Sequence, residues 1–207
     1  MECSGEEEIP AKVDELTRMI KTDLNLTPQQ ISSDIDKSVG KITTSSAEAF
    51  KYYSEARKLH VGDEYRKAIP LYEKAVSLDP EFAMAYRGLA TCYRNLGYRE
   101  KQKEYIQKAL ASSDHASDRE RLLIQGQLYE QSENTYDKAI AASNQLLKLY
   151  PRDSIALNHL GIIYYALEEW EEAEAKYVEC LKVQKDILNT GNLAGGYQTL
   201  GRYDQAS

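Results

Sequence analysis

A unit of about 34 residues recurs along this chain, and that period constrains the fold more than any single residue does. Alignment on the small or polar residue that opens every second helix gives Ala68, Gln102, Ala139, Ala173 and Ala206, at steps of 34, 37, 34 and 33 residues. In the first frame Tyr52, Ala56 and Leu59 make one helical stripe, Gly62 and Asp63 interrupt it, and Ala68, Tyr72 and Ala75 make a second stripe that ends at Asp79 and Pro80. Apolar residues with a helical period on both sides of a break define a pair of antiparallel helices. One such hairpin cannot bury its apolar face alone, so successive hairpins must stack. The expected fold is therefore all-α, a solenoid of about five helix hairpins.

Small residues at Ala56, Ala90, Gly126, Gly161 and Ala194 are expected to let the helices approach closely, with Tyr and Leu side chains filling the space around them. The step of 37 places extra residues near Ser112 to Asp118 and near Ser132 to Thr135, with Asp114, Ser117 and Asp118 as candidate helix caps, and the superhelix is expected to bend or loosen there. Pro70 lies early in a second helix and reads as structural. Residues 1–46 form a distinct segment. Ile9, Val13, Leu16, Ile20 and Leu24 share one helical face, and a polar linker follows, in which Ser45 and Glu48 match a capping box for the first repeat helix. The repeats occupy residues 47–207. Their fifth unit stops at Ser207, leaving Leu193, Tyr197 and Leu200 without a partner helix, and Gly195 and Gly196 weaken that last helix. This predicts either a piece of a longer polypeptide or a homodimer formed through the uncapped repeat.

Composition excludes several classes. With 42% hydrophobic residues the chain can bury a core, and its longest apolar run, near Leu160 to Leu167, is too short to span a membrane. A formal net charge of -7 disfavours nucleic acid as a partner. Cys3, Cys92 and Cys180 are odd in number and scattered, which suits reduced thiols in the cytoplasm, and Cys92 and Cys180 read as small packing residues. His60, His115 and His159 have no metal-ligand spacing to one another or to a cysteine, so neither a metal nor a cofactor is expected.

Leu157, Leu160, Gly161, Tyr164, Ala173 and Tyr177, with Tyr52, Ala56, Ala68, Tyr72, Ala75 and Pro80, make residues 47–207 resemble the tetratricopeptide repeat (TPR) family, with Leu where the family motif has Trp. The resemblance implies a right-handed α-solenoid of antiparallel hairpins. More narrowly, VDELTRMIKTDL, ITTSSAEAFKYYSEARKL and DPEFAMAYRGLATCYRNLGY are similar to repeat regions C-terminal to bacterial serine/threonine kinase, adenylate cyclase or TolB-like domains. None of the catalytic signatures of those domains occurs in the chain, and no enzyme activity is expected.

In this family the first helix of each hairpin lines a concave groove. Carried over residue by residue, the resemblance assigns Phe50, Tyr53, Arg57 and His60 from the first unit to that groove. The second unit adds Met84, Arg87, Thr91, Arg94 and Asn95, and later units add Leu123, Gln127, Glu130, Ile155, Asn158, Ile162 and Tyr165. The N-terminal half is basic and aromatic, and the C-terminal half is more apolar. The implied function is a protein-interaction module that takes a partner segment with an acidic stretch beside hydrophobic residues. The chaperone-tail clamp known in the family is disfavoured, because Tyr53, Arg57 and Gly88 stand where that clamp has Lys, Asn and Asn. A regulatory region of a signalling enzyme and a homo-oligomerisation module are the alternatives.

Overall fold

The computed structural model describes residues 44–183 together with the single positions Glu15 and Met19. Among them are eight α-helices: α1 Ala47–Val61, α2 Tyr65–Leu78, α3 Ala83–Asn95, α4 Arg99–Ala111, α5 Asp118–Tyr129, α6 Tyr136–Leu149, α7 Ser154–Ala166 and α8 Trp170–Val183. The all-helical solenoid expected from the period is what the chain adopts. The extra residues of the 37-residue step form short 3-10 turns, Ser113–His115 and Glu133–Thr135. The apolar stripe from Ile9 to Leu24 and the fifth unit lie outside the described residues.

The chain divides into two compact units, Met1–Glu120 and Arg121–Ser207. In the first, α1 packs on α2, α2 on α3, and α3 on α4. In the second, α6 packs on α7 and α7 on α8.

Three hairpins close with the same turn. Asp63, Gly97 and Glu168 have φ of 60°, 80° and 63°. Around each, the following residue's N–H reaches back to the carbonyl five positions earlier: Glu64 to Leu59, Tyr98 to Tyr93 and Glu169 to Tyr164, each at 2.9 Å. This is the Schellman closure, which requires a left-handed residue just past the helix end. In the first hairpin that residue is Asp63, whereas Gly62 keeps φ at -87° and caps the helix with its N–H. Gly62 is thus not the residue that turns the chain.

Ring-for-hydrogen exchange shapes the packing. A Cβ added at Gly161 would fall 2.4 Å from the Tyr177 ring, and one at Gly88 would fall 2.5 Å from the Tyr72 ring. At Gly161 the close approach is between the two helices of one hairpin, as the repeat pattern implies. At Gly88 it joins consecutive hairpins, α2 to α3. Gly126 differs, since its added Cβ would meet His159 Nδ1 at 3.4 Å and Ser143 Oγ at 3.7 Å, ordinary contact distances.

The caps follow local chemistry. Ser46, and not Ser45, starts α1: its Oγ accepts from the Ala49 N–H at 3.1 Å. Glu48 therefore sits one residue short of the reciprocal capping position. A capping box does form at Ser117, where Glu120 N–H donates to Ser117 Oγ at 3.1 Å and Ser117 N–H to Glu120 Oε2 at 3.0 Å. Pro70 lies a full turn inside α2, so its missing N–H removes the intrahelical bond to Arg66. Cys92 and Cys180 are buried thiols, and Cys180 Sγ donates to the Ser154 carbonyl at 3.0 Å.

Two substitutions test this account. Gly161→Ala is expected to lower stability by about 1–3 kcal/mol through overpacking against Tyr177, with partial recovery in the Gly161→Ala, Tyr177→Leu double variant. An unchanged midpoint on thermal denaturation would show that the ring can yield. Glu168→Gly relieves a left-handed residue and is expected to stabilise by about 0.5–1 kcal/mol on denaturant titration.

Candidate functional site

In the first compact unit, α1 and α3 carry the residues expected to line the groove. At the start of α1, Phe50 is 49% exposed, with its ring 6.2 Å from that of Tyr53. Tyr53 itself is only 8% exposed and packs 4.8 Å from Phe82 and 5.8 Å from Tyr72, centroid to centroid. It is a core residue and cannot serve as the exposed anchor expected of it. Met84 and Arg87 on α3 are buried as well. The physical reason is shared: α3 has neighbours on both sides, so its flanking positions pack against α1 and α2 before they reach solvent.

His60 is the centre of this region. Its Nδ1 lies 3.2 Å from Tyr72 Oη and 3.8 Å from Cys92 Sγ, which ties the end of α1 to both α2 and α3. Burial pushes the Cys92 thiol up to about 12 and the Tyr72 phenol well above its ordinary value, so both stay protonated. Two protonated neighbours at Nδ1 favour the tautomer that carries its hydrogen on Nε2. Tyr65 and Tyr72 pack edge-on to the imidazole with centroids 5.6 and 6.1 Å away. Around it stand three guanidinium groups. Burial first, then the charges of Arg87, Arg57 and Arg94, bring the His60 pKa from 6.5 to about 4. Arg57 lies one turn before His60 on α1, and its bond to the Tyr53 hydroxyl helps hold its charge against burial. Arg94 Nε donates to Asn95 Oδ1 at 3.4 Å, and Thr91 donates to the Arg87 carbonyl at 3.1 Å.

Sequence reasoning named Arg57, His60, Arg87 and Arg94, and the structure brings them together. It missed the support. Tyr72 read as core filling, yet its hydroxyl orients His60, while Tyr65 donates to Asp63 and also bonds Asn95. Nothing in the linear spacing of these residues signals such contacts.

In the second compact unit, Asn158, Ile162 and Tyr165 occupy one partly exposed face of α7, with Tyr165 edge-on to Trp170 at 5.1 Å. Leu123 and Gln127 are fully buried and line no groove. Instead Gln127, Ser143 and His159 make part of the interior polar, and His159 Nε2 lies 3.8 Å from Glu130 Oε2, both side chains 5% exposed. His159 and Glu130 are far apart in sequence, which is why no motif announced them. Among the described residues no group of His, Cys, Asp and Glu is arranged to hold a metal ion, and no helix is long and apolar enough to cross a membrane.

The tetratricopeptide repeat profile matches residues 57–117 and 123–179, and the chain belongs to that family. A TPR repeat-containing protein of Methanocaldococcus jannaschii is 29% identical over 182 residues, covering 83% of this chain and 31% of that protein. The aspartyl/asparaginyl beta-hydroxylase of Mus musculus is 25% identical over 136 residues, 62% of this chain and 18% of the enzyme. The chain thus spans less than a third of the length of the curated relatives it matches. Among solved structures, the TPR protein TTC0263 of Thermus thermophilus superposes with a TM-score of 0.56 at 22% identity, covering 76% of this chain and 86% of that one. The type IV pilus biogenesis factor PilW gives a TM-score of 0.53 at 22% identity, covering 78% and 74%. These likenesses establish the fold, and the tetratricopeptide repeat family to which the chain belongs is generally one of protein-interaction scaffolds.

The His60 environment makes a pH prediction. The unfolded chain binds a proton at His60 near 6.5 while the folded one resists until about 4. Stability from this group is therefore complete above 6.5 and falls as pH drops toward 4, by up to about 3 kcal/mol. The His60 imidazole should titrate near 4 by NMR. Arg57→Gln should raise that midpoint, and a midpoint near 6.5 in the unchanged chain would refute the arrangement.

Proposed function

We propose that this chain is a docking module whose first compact unit receives an extended partner segment bearing carboxylates next to apolar side chains. The observation that carries this reading is the action of the Arg57, Arg87 and Arg94 charges on the half-buried His60, on the same helix that exposes Phe50 nearer its start, in a chain whose net charge is -7. A cluster of cations in an otherwise acidic molecule selects an acidic segment and steers it electrostatically. Exposed ion pairs contribute only about 0.2–1 kcal/mol each, so the arginines supply orientation and salt sensitivity. Affinity comes from apolar contact, for which Phe50 is the available aromatic anchor.

In the second compact unit the Asn158, Ile162 and Tyr165 face provides a separate, more apolar contact surface for the same class of partner. The reading as a region of a longer protein draws on the relatives, in which the matched repeats fill under a third of the length.

Arg87 is 8% exposed, so reversing its charge would confound folding with binding. Arg57 and Arg94 are the positions to reverse. The Arg57→Glu, Arg94→Glu variant is expected to bind a short synthetic peptide of glutamates followed by leucines about tenfold more weakly than the unchanged chain, by fluorescence anisotropy at low salt. Its circular dichroism should be unaltered, and the difference should shrink at about 0.3 M salt. Equal binding by the two proteins would remove the basic cluster from the function.

A further inference from the structure

The α3–α4 hairpin carries a strip of rings and ammonium groups that the docking reading does not use. Tyr86 stacks on Tyr105 with centroids 6.4 Å apart, Tyr105 stacks on Tyr93 at 5.3 Å, and Tyr98 meets Tyr93 edge-on at 6.1 Å. Lys101 Nζ stands 4.7 Å from the centre of the Tyr93 ring, and Lys108 Nζ 4.9 Å from that of Tyr105. These contacts make one continuous surface. Tyr98 is 48% exposed, Tyr86 and Tyr105 are half-buried, and both lysines face solvent, as do Arg99 and Lys103 on the same helix. An ammonium held against a ring face is already positioned, so less side-chain freedom is lost when an anion arrives.

A match for that strip lies in the second compact unit. Leu167-Glu168-Glu169-Trp170-Glu171-Glu172 sets four exposed glutamates, with no cation among them, beside a leucine that is 40% exposed. The turn is held in shape. Glu168 has φ of 63°, the N–H groups of Glu168 and Glu169 donate to the Tyr165 and Tyr164 carbonyls at 3.1 and 2.9 Å, and Trp170 packs edge-on to Tyr165. The field at a helix start accounts for Glu171 and Glu172, which lie in the first turn of α8, but not for a leucine exposed beside them. We infer that the α7–α8 turn of one copy docks on the α3–α4 strip of a second copy, with its carboxylates on Lys101 and Lys108 and Leu167 against Tyr98. The two patches differ, so copies satisfy them either reciprocally in a closed pair or in succession along a chain. Both patches are small and their charges exposed, which makes the contact weak, reversible and sensitive to salt. This surface is separate from the His60 region, and the inference stands whether or not that region binds a partner.

The test is sedimentation velocity on the full chain from about 10 µM to 1 mM at low salt. The average mass is expected to rise with concentration and to return to that of the monomer at about 0.3 M salt. The Glu169→Lys, Glu171→Lys, Glu172→Lys variant and the Lys101→Glu, Lys108→Glu variant should each associate at least about tenfold more weakly, and mixing the two should restore association. Tyr98→Ser, which changes no charge, should weaken it several-fold. Lys51→Glu with Lys58→Glu alters net charge as much as the strip variant does, on exposed positions of α1, and should leave association unchanged. Circular dichroism should be the same for every protein. A monomer at all concentrations would overturn the inference, as would failure of the mixture to recover. Equal loss in the α1 variant would assign the association to net charge and overturn it too.

Discussion

The first compact unit depends on the Tyr72 ring. It fills the space left by the missing side chain of Gly88, so α3 can approach α2 closely enough for Cys92 to meet His60 across the hairpin boundary. Its other edge packs on Tyr53, and its hydroxyl sets the orientation of the imidazole. One side chain thereby joins repeat packing to the electrostatics of the candidate site. Removing the ring would leave a cavity between hairpins and also release His60 from its fixed position.

The same region carries several positive charges in a chain whose net charge is -7. The charges of Arg87, Arg57 and Arg94 all act on His60, which burial and these charges together keep neutral, and Tyr53 accepts from Arg57. A protonated His60 would add a fourth positive charge in a partly desolvated place. The Coulomb contribution is modest in water and larger where solvent is partly excluded.

The second compact unit solves its packing differently. Where the first two hairpins put Tyr72 and Ile106 at the corresponding buried position of their second helices, α6 has Ser143, and His159 of α7 and Gly126 of α5 lie beside it. A polar interior of this kind specifies one arrangement, because Gln127, Glu130 and His159 must find partners once they leave water. The Tyr177 ring against Gly161 then restores the ordinary repeat packing between α7 and α8.

The period of the small and aromatic residues by itself determined the helix pairs, their order and the family, because a hairpin's core positions repeat whenever its packing repeats. The resemblance to the family, and not the period, put Arg57, His60, Arg87 and Arg94 on one list of groove residues. Exposure was decided only by tertiary structure. Tyr53, Met84, Leu123 and Gln127 sit at positions that look outward in the repeat frame, yet neighbouring helices cover them. Turn closure escaped the sequence as well, because Asp63 and Glu168 take a backbone conformation usually signalled by glycine, and only the completed hydrogen bonds to Leu59 and Tyr164 stabilise them there. The links from Tyr72 to His60 and from His159 to Glu130 follow the same rule: residues far apart in sequence meet only when hairpins stack, and local spacing carries no record of that meeting.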